Sequence, residues 1–293
     1  MTELAHTVLG PVPADDLGVV AVHEGLLSVL PGAQFAHDIT IDRAEVFESL
    51  HALLVDFREA GGGTVVDSTG MFHGRDVRLL ESLSRATGVH VVASTGQGPE
   101  SLLGGYFLTP QTNPPTPWPA DKWADMFTRE IAEGMVVPRV ERRGAAGLVA
   151  TAATRDGMTA TDESLLRGAA RAALATGVPV SFRAGADAVV EVEVALAEGV
   201  PAARLLVADA GDQAAKVADL GAYVVLTDPA DVVLLAEAGH AERVLLATGG
   251  VGVAFGHDAA PATYAPLATA LPTELVQQVL IANPRDLLTV KEH

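Results

Sequence analysis

The sequence predicts a (β/α)₈ barrel, and three observations predict it. Short apolar, β-branched runs recur eight times along 293 residues. Helical patterns separate most of these runs. The runs are near-continuously apolar, as parallel strands covered on both faces require. This length suits one such barrel, read as a single domain over 1–293. A doubly wound sheet is the alternative architecture.

In chain order, the strand-like runs are "VVAVH" (19–23), "TVVDST" (64–69), "VHVVAST" (89–95) and "GLVATAA" (147–153). They continue as "VPVSFR" (178–183), "RLLVAD" (204–209), "AYVVLTD" (222–228) and "RVLLATG" (243–249). The first reads as a strand that gives way to a loop at His23, Glu24 and Gly25. The stretch 42–61 has an Asp start, an apolar repeat near 3.6 residues and a Gly stop, which together specify a helix. The stretches 74–88, 119–134, 161–177 and 187–199 follow suit, with shorter helices at 212–221 and 229–239. A last helix is expected near 272–284. Two longer loops follow strands, 96–119 and 249–266, and both are candidate lids over the barrel mouth.

Composition narrows the function classes. The formal net charge is −18, which argues against nucleic acid or an anionic membrane as partner. There is no cysteine, so disulfides, thiolate ligands and cysteine nucleophiles are excluded. "MTELAHTVLG" lacks the basic and apolar regions of a signal peptide, and no apolar run is long enough to span a bilayer. A cytoplasmic protein acting on a small molecule is the expectation. No G-x-S-x-G, phosphate-binding P-loop or dinucleotide G-x-G-x-x-G is present.

Several blocks then carry a resemblance. "TVLGPVPADDLGVVAVHEGLL" (7–27), "VVDSTGMFHGRDVRLLESLSRATGVHVVASTG" (65–96), "WADMFTREIAEG" (123–134), "LLRGAARAALATGVPVSF" (165–182) and "NPRDLLTV" (283–290) resemble the phosphotriesterase-related family of the amidohydrolase superfamily. They fall in order over nearly the whole chain. The resemblance implies a (β/α)₈ barrel with two divalent metals at the strand C-termini. It also implies a His-x-His after strand 1, a carboxylated lysine on strand 4, histidines after strands 5 and 6, and an aspartate after strand 8. Metals so held lower the pKa of a bridging water and polarise the bond to be hydrolysed.

Carried onto this chain position by position, the ligand set breaks down. The first histidine is His23, but the second falls on Gly25. The lysine falls on Ala150 or Thr151, and no lysine lies between Lys122 and Lys216. The strand 5 histidine falls on Arg183, the strand 6 histidine on Asp209, and the aspartate on Gly250 or Gly249. Too few anions and imidazoles remain to offset two dications, so no metal or other cofactor is expected.

What remains suggests other chemistry. Arg183 and Asp209 are expected to form an ion pair, or Arg183 to bind a carboxylate, phosphate or enolate oxygen. His23 is the candidate general acid/base, oriented or charged by Glu24 or Asp209. Asp67, His257 and Asp258 are candidate substrate-binding residues, with Asp67 alternatively holding backbone amides. Arg75 and Asp76 read as structural, with Asp76 in a helix's first turn. His73 is expected to cap or approach that helix. His37, His51, His90 and His240 read as surface or packing residues.

Three readings follow. The first is a metal-independent enzyme (a lyase, isomerase, cyclase or hydrolase) using the former metal cavity. The second is a non-catalytic binding protein or a partner of a homologue that keeps the ligands. The third is a hydrolase of lactones or phosphate esters with a rebuilt metal site of His23, Asp209 and His257 or Asp258. The resemblance also implies a homodimer.

Overall fold

The structure, a computed structural model, describes residues 3–71, 73–104, 106–109, 116–138 and 140–290. Parallel strands β1 (Val19–Val29), β2 (Gly62–Asp67), β3 (His90–Thr95), β4 (Leu148–Ala152) and β5 (Val180–Arg183) stand side by side in one sheet. β6 (Leu205–Ala208), β7 (Tyr223–Leu226) and β8 (Val244–Leu246) extend it in order. A further strand, β9 (Val251–Phe255), pairs in parallel with the distal half of β1, from Gly25 to Val29. β8 and β9 are thus the two ends of the sheet order, and residues 247–250 join them. β8 also contacts β1, so the sheet curls back on itself as the barrel prediction requires.

Period-two alternation separates two apolar layers. Val20, Val22, Val66, Val92, Leu148, Leu206, Val225 and Leu245 pack together inside the barrel. Their neighbours Ala21, Val65, Val91, Val149, Leu205, Val207, Val224 and Val244 pack outward against the helices. The inner cluster is closed from below by Ala5, Leu17, Leu287 and Leu288. Leu17 sits at the N-terminal end of β2, where its carbonyl accepts a hydrogen bond from Thr64 Oγ1 (2.7 Å). That leaves the C-terminal strand ends as the open mouth.

The helices are α1 (Arg43–Glu59), α2 (Val77–Thr87), α3 (Ala120–Ala132), α4 (Ala160–Thr176), α5 (Ala188–Ala197), α6 (Ala214–Asp219) and α7 (Pro229–Leu235). Their starts follow from capping. Asp42, Asp76, Asp187 and Asp228 accept from first-turn amides, and Thr159 with Asp162 forms a capping box. Gly88 and Gly177 end α2 and α4 in the left-handed conformation.

The structure corrects several boundaries. β1 does not end at His23; it bulges there and runs on to Val29, because β9 offers the second half a partner. The expected lid 249–266 therefore begins as a strand. Asp76 is the N-cap of α2 rather than a first-turn residue. The last helix, α8, passes Pro284: Thr273–Val276, a wide turn over Gln277–Ala282, then Asn283–Leu288. Pro284 lies in the first turn of that final segment, where its missing N–H costs little. Two antiparallel hairpins, Leu4–Thr7 with Gly10–Pro13 and Met135–Val137 with Glu141–Arg143, were not foreseen. Among the described residues no helix is long and apolar enough to cross a membrane.

Candidate active site at the barrel mouth

The strand C-termini and the loops after them enclose a cavity of about 900 Å³. It is lined by His23, Glu24 and Gly25 from β1, Ala150–Ala152 from β4, Arg183 from β5 and Asp209 after β6. His257 and Asp258 line its outer part. His23 and Asp209 are the two non-glycine residues with positive φ among those described, at 55° and 59°. Such backbone is disfavoured for side chains beyond Asn, Asp and His, and it concentrates at functional sites. The left-handed backbone at His23 coincides with the register shift between β1 and β2.

His23 is held by Ser181, with Nδ1 2.9 Å from the Ser181 hydroxyl. Neither Glu24 nor Asp209 fills that role, as the sequence reading supposed. Ser181 could have been found: it lies two residues before Arg183 on one strand, hence on the same face. The other ring nitrogen, Nε2, is buried without a partner. Burial, and then the charge of Arg183, lower the His23 pKa to about 3. Between about pH 3 and the usual histidine value near 6.5, unfolding takes up a proton that the folded ring refuses. Stability conferred by this group is therefore lost as pH falls through that window. We expect ring-nitrogen NMR to show His23 neutral from about pH 5 to 8; a titration near pH 6.5 would contradict this environment.

Glu24 is 1% exposed and is held by the segment after β8 rather than by His23. Its carboxyl accepts from the Thr248 amide (2.8 Å) and from the Thr248 hydroxyl. Burial raises its pKa to about 7, against the opposing effect of those bonds and with a further push from the charge of Asp67. Asp67 is also buried, and it is absent from the cavity wall. Its oxygens accept from the Leu26 amide (2.9 Å), the Thr69 amide (3.0 Å) and the Thr69 hydroxyl, so it organises β1 and the loop after β2. The alternative reading of Asp67 as a holder of backbone amides is the one that matches.

Arg183 and Asp209 pair loosely, Nε to Oδ2 at 3.6 Å, with both side chains about half exposed. The guanidinium thus keeps donors free beside the cavity. A second arginine, Arg155, lines the mouth and has no ion pair among the described residues. His257 Nε2 lies 2.8 Å from the Ser28 hydroxyl. His73 does not cap α2, whose N-cap is Asp76; its Nε2 donates to the Gly98 carbonyl (3.1 Å). The loop after β3 is further tied by Gly96 O accepting from the Met71 amide (3.0 Å) and by Asp162 accepting from the Glu100 amide (2.7 Å). Within 96–119, residues 105 and 110–115 lie outside the described residues.

The family's ligand positions can now be tested for fit. A β-carbon at Gly25 would meet Val251 at 3.5 Å, an ordinary contact, so a histidine there is missing by sequence rather than excluded by space. At the two candidate places for the strand 8 aspartate, a β-carbon at Gly250 would lie 2.6 Å from Ala262 Cα and one at Gly249 2.9 Å from Thr227 Cγ2, so neither has room for a side chain without a shift of its neighbours. Ala150 and Thr151 offer no carboxylate, and Arg183 brings a cation. No group of three His, Asp or Glu residues gathers as a metal site among the described residues, so the rebuilt set of His23, Asp209 and His257 or Asp258 does not assemble. These residues do not fit a metal pair.

A curled parallel sheet, its helices and a cavity at the strand C-termini define an enzyme-type α/β barrel. The chain belongs to the phosphotriesterase family, whose model matches residues 3–288. It is 30% identical over 223 residues to an aryldialkylphosphatase of Saccharolobus solfataricus, covering 73% of this chain and 67% of that one. It is 28% identical over 221 residues to a phosphotriesterase homology protein of Mycobacterium tuberculosis, covering 72% of this chain and 64% of that one. An N-acetyltaurine hydrolase of Danio rerio is 25% identical over 224 residues, covering 66% and 61%. The chain thus matches about two thirds of the length of these relatives. A solved structure from the "molecular engineering of organophosphate hydrolysis activity from a weak promiscuous lactonase template" superposes with a TM-score of 0.82 at 22% identity, covering 98% of this chain and all of that one. The likeness is one of fold.

Proposed function

We propose that this chain is a small-molecule enzyme that works in the barrel-mouth cavity without the family's metal pair. One observation carries the reading: around that cavity the ligand positions hold His23, Gly25, Ala150 or Thr151, Arg183, Asp209 and Gly250 or Gly249. Arg183 supplies positive charge beside the cavity, and its planar fork suits a carboxylate, a phosphate or a developing oxyanion. Glu24 lines the cavity with a proton affinity near neutrality, so proton transfer is assigned to it. His23 is too weak a base for that role and serves as a neutral hydrogen-bonding group. Hydrolysis accords with the relatives' names, and lyase or isomerase chemistry would use the same parts.

The test is metal content together with activity. Protein expressed with zinc and manganese supplied, then dialysed, should carry neither by plasma mass spectrometry. Turnover of lactones or esters should persist in chelator and fall about a hundredfold or more in Arg183→Ala. Stoichiometric metal, or activity that chelation removes, overturns the reading.

A further inference from the structure

We infer that Ser28 and His257 form a nucleophile–base pair for acyl transfer, acting on a carboxylic ester in the outer part of the cavity. This goes beyond the reading above, because it adds a covalent route that does not use Glu24. The Ser28 hydroxyl lies 2.8 Å from His257 Nε2, and the other ring nitrogen, Nδ1, lies 3.2 Å from the Asp258 carbonyl oxygen. A carbonyl only accepts, so Nδ1 carries the ring proton. Nε2 is then the bare nitrogen, and the Ser28 hydroxyl donates to it. A hydroxyl within hydrogen-bond reach of a base, with a third group orienting that base, is the arrangement that activates a serine. Ser28, His257 and Asp258 all line the cavity. His257 is exposed and Ser28 partly so, which leaves the pair open to a substrate.

The fold brings the pair together. Ser28 stands on the distal half of β1 beside Ala254 of β9, and His257 follows two residues after β9 ends. The Leu30 amide donates to the Phe255 carbonyl (2.9 Å), and the Val29 amide to the His73 carbonyl (2.9 Å). Backbone bonds therefore already hold these segments, and a hydrogen bond between exposed side chains adds little to stability. Burial lowers the proton affinity of His73, the Gly98 carbonyl opposes that, and the charges of Arg183 and His257 lower it further. The field of Arg183 thus reaches this corner, where it favours the oxyanion formed when a hydroxyl attacks a carbonyl. Leu30, Val251, Ala259 and Ala260 add small apolar lining, and no Phe, Tyr or Trp lines the cavity among the described residues. A short aliphatic acyl group suits that wall. In the first half-reaction Ser28 Oγ bonds to the acyl carbon, its proton passes to His257 Nε2, and the alcohol leaves with that proton. In the second, water attacks the acyl-serine and gives a proton to Nε2, and the acid leaves as Oγ takes the proton back.

Methanesulfonyl fluoride, which sulfonylates activated serines, tests this on the full chain by intact and peptide mass spectrometry. One sulfonyl group should appear per chain, on Ser28, and none on Ser28→Ala. His257→Gln should slow the labelling about hundredfold. Neither position is buried, so both variants should keep the parent Tm. p-Nitrophenyl acetate should release a burst of about one p-nitrophenol per chain and leave an acetyl group on Ser28. An unlabelled Ser28 with either reagent, label that persists in Ser28→Ala, or labelling of His257→Gln at the parent rate overturns the inference. Metal analysis of the same sample separates the two ideas. Chelator-resistant turnover by metal-free protein with an unlabelled Ser28 refutes only the serine route, and a labelled Ser28 in metal-loaded protein refutes only the metal-free reading.

Discussion

Glu130→Ala is expected to cost about 3–5 kcal/mol of stability, which is the usual penalty for stranding one member of a buried ion pair. Glu130 on α3 and Arg75 after β2 are 1% and 3% exposed at their side chains. The contact is bidentate, Nη1 to Oε2 at 2.6 Å and Nη2 to Oε1 at 2.9 Å. Arg75 also donates to the Ser94 carbonyl (3.0 Å), and Glu130 accepts from the Val136 amide (2.8 Å). The pair therefore locks the loop after β2, the end of β3 and the hairpin after α3 together. Burial alone would raise the Glu130 pKa, but the Arg75 guanidinium and the Val136 amide outweigh it and hold the carboxyl low. Its stabilisation is present above the ordinary glutamate pKa and is lost as pH falls through the lowered one. Guanidinium melts at neutral pH measure the loss. A drop of under about 1 kcal/mol would place the pair among ordinary surface bridges. Replacing both partners by apolar residues of similar size should recover much of the loss, because no charge is then left stranded.

Gly96→Ala is expected to cost about 2–4 kcal/mol, with two separable causes. Gly96 has φ 113°, a conformation that alanine resists, and its β-carbon would lie 1.8 Å from the Ala150 carbonyl oxygen. The backbone of the loop after β3 lies directly against β4, and it cannot accept a methyl group without lifting away. Gly61→Ala isolates the first cause. Its φ is 94°, and nothing lies within 4 Å of the added carbon, so only the roughly 1 kcal/mol conformational penalty applies. Equal losses at the two positions would show that the loop yields freely. A larger loss at Gly96 would show that the loop is a fixed wall of the cavity, as the bonds of Gly96 with Met71, Gly98 with His73 and Glu100 with Asp162 indicate.

Much of the fold was legible because its signals are local. Apolar runs such as 89–95, the aspartates that cap helices and the glycines that stop them act within a few residues. The register of "SFR" and "LLVAD" placed Arg183 and Asp209 at adjacent strand ends, and the structure finds them paired. β9 was missed because "VGVAF" is rich in small residues and reads as loop; its strand character depends on the exposed edge of β1. The last helix was cut short because a proline in isolation signals an end.

The site divides along the same line. The sequence determined which side chains stand at the strand ends, and its resemblance to the family implied that the metal-ligand positions hold Gly25, Ala150 or Thr151, Arg183 and Gly250 or Gly249. Side-chain identity and the two-residue period of a strand are properties of the chain alone. Tertiary structure alone decided what each group is chemically. Ser181, 158 residues from His23, holds its ring, and Thr248, 224 residues from Glu24, holds its carboxyl. Burial lowers the proton affinity of His23 and raises that of Glu24, which is why the proposed function assigns proton transfer to Glu24 and not to His23. Solvation and the nearest partner set a proton affinity, and both are created only when distant strands close into a barrel.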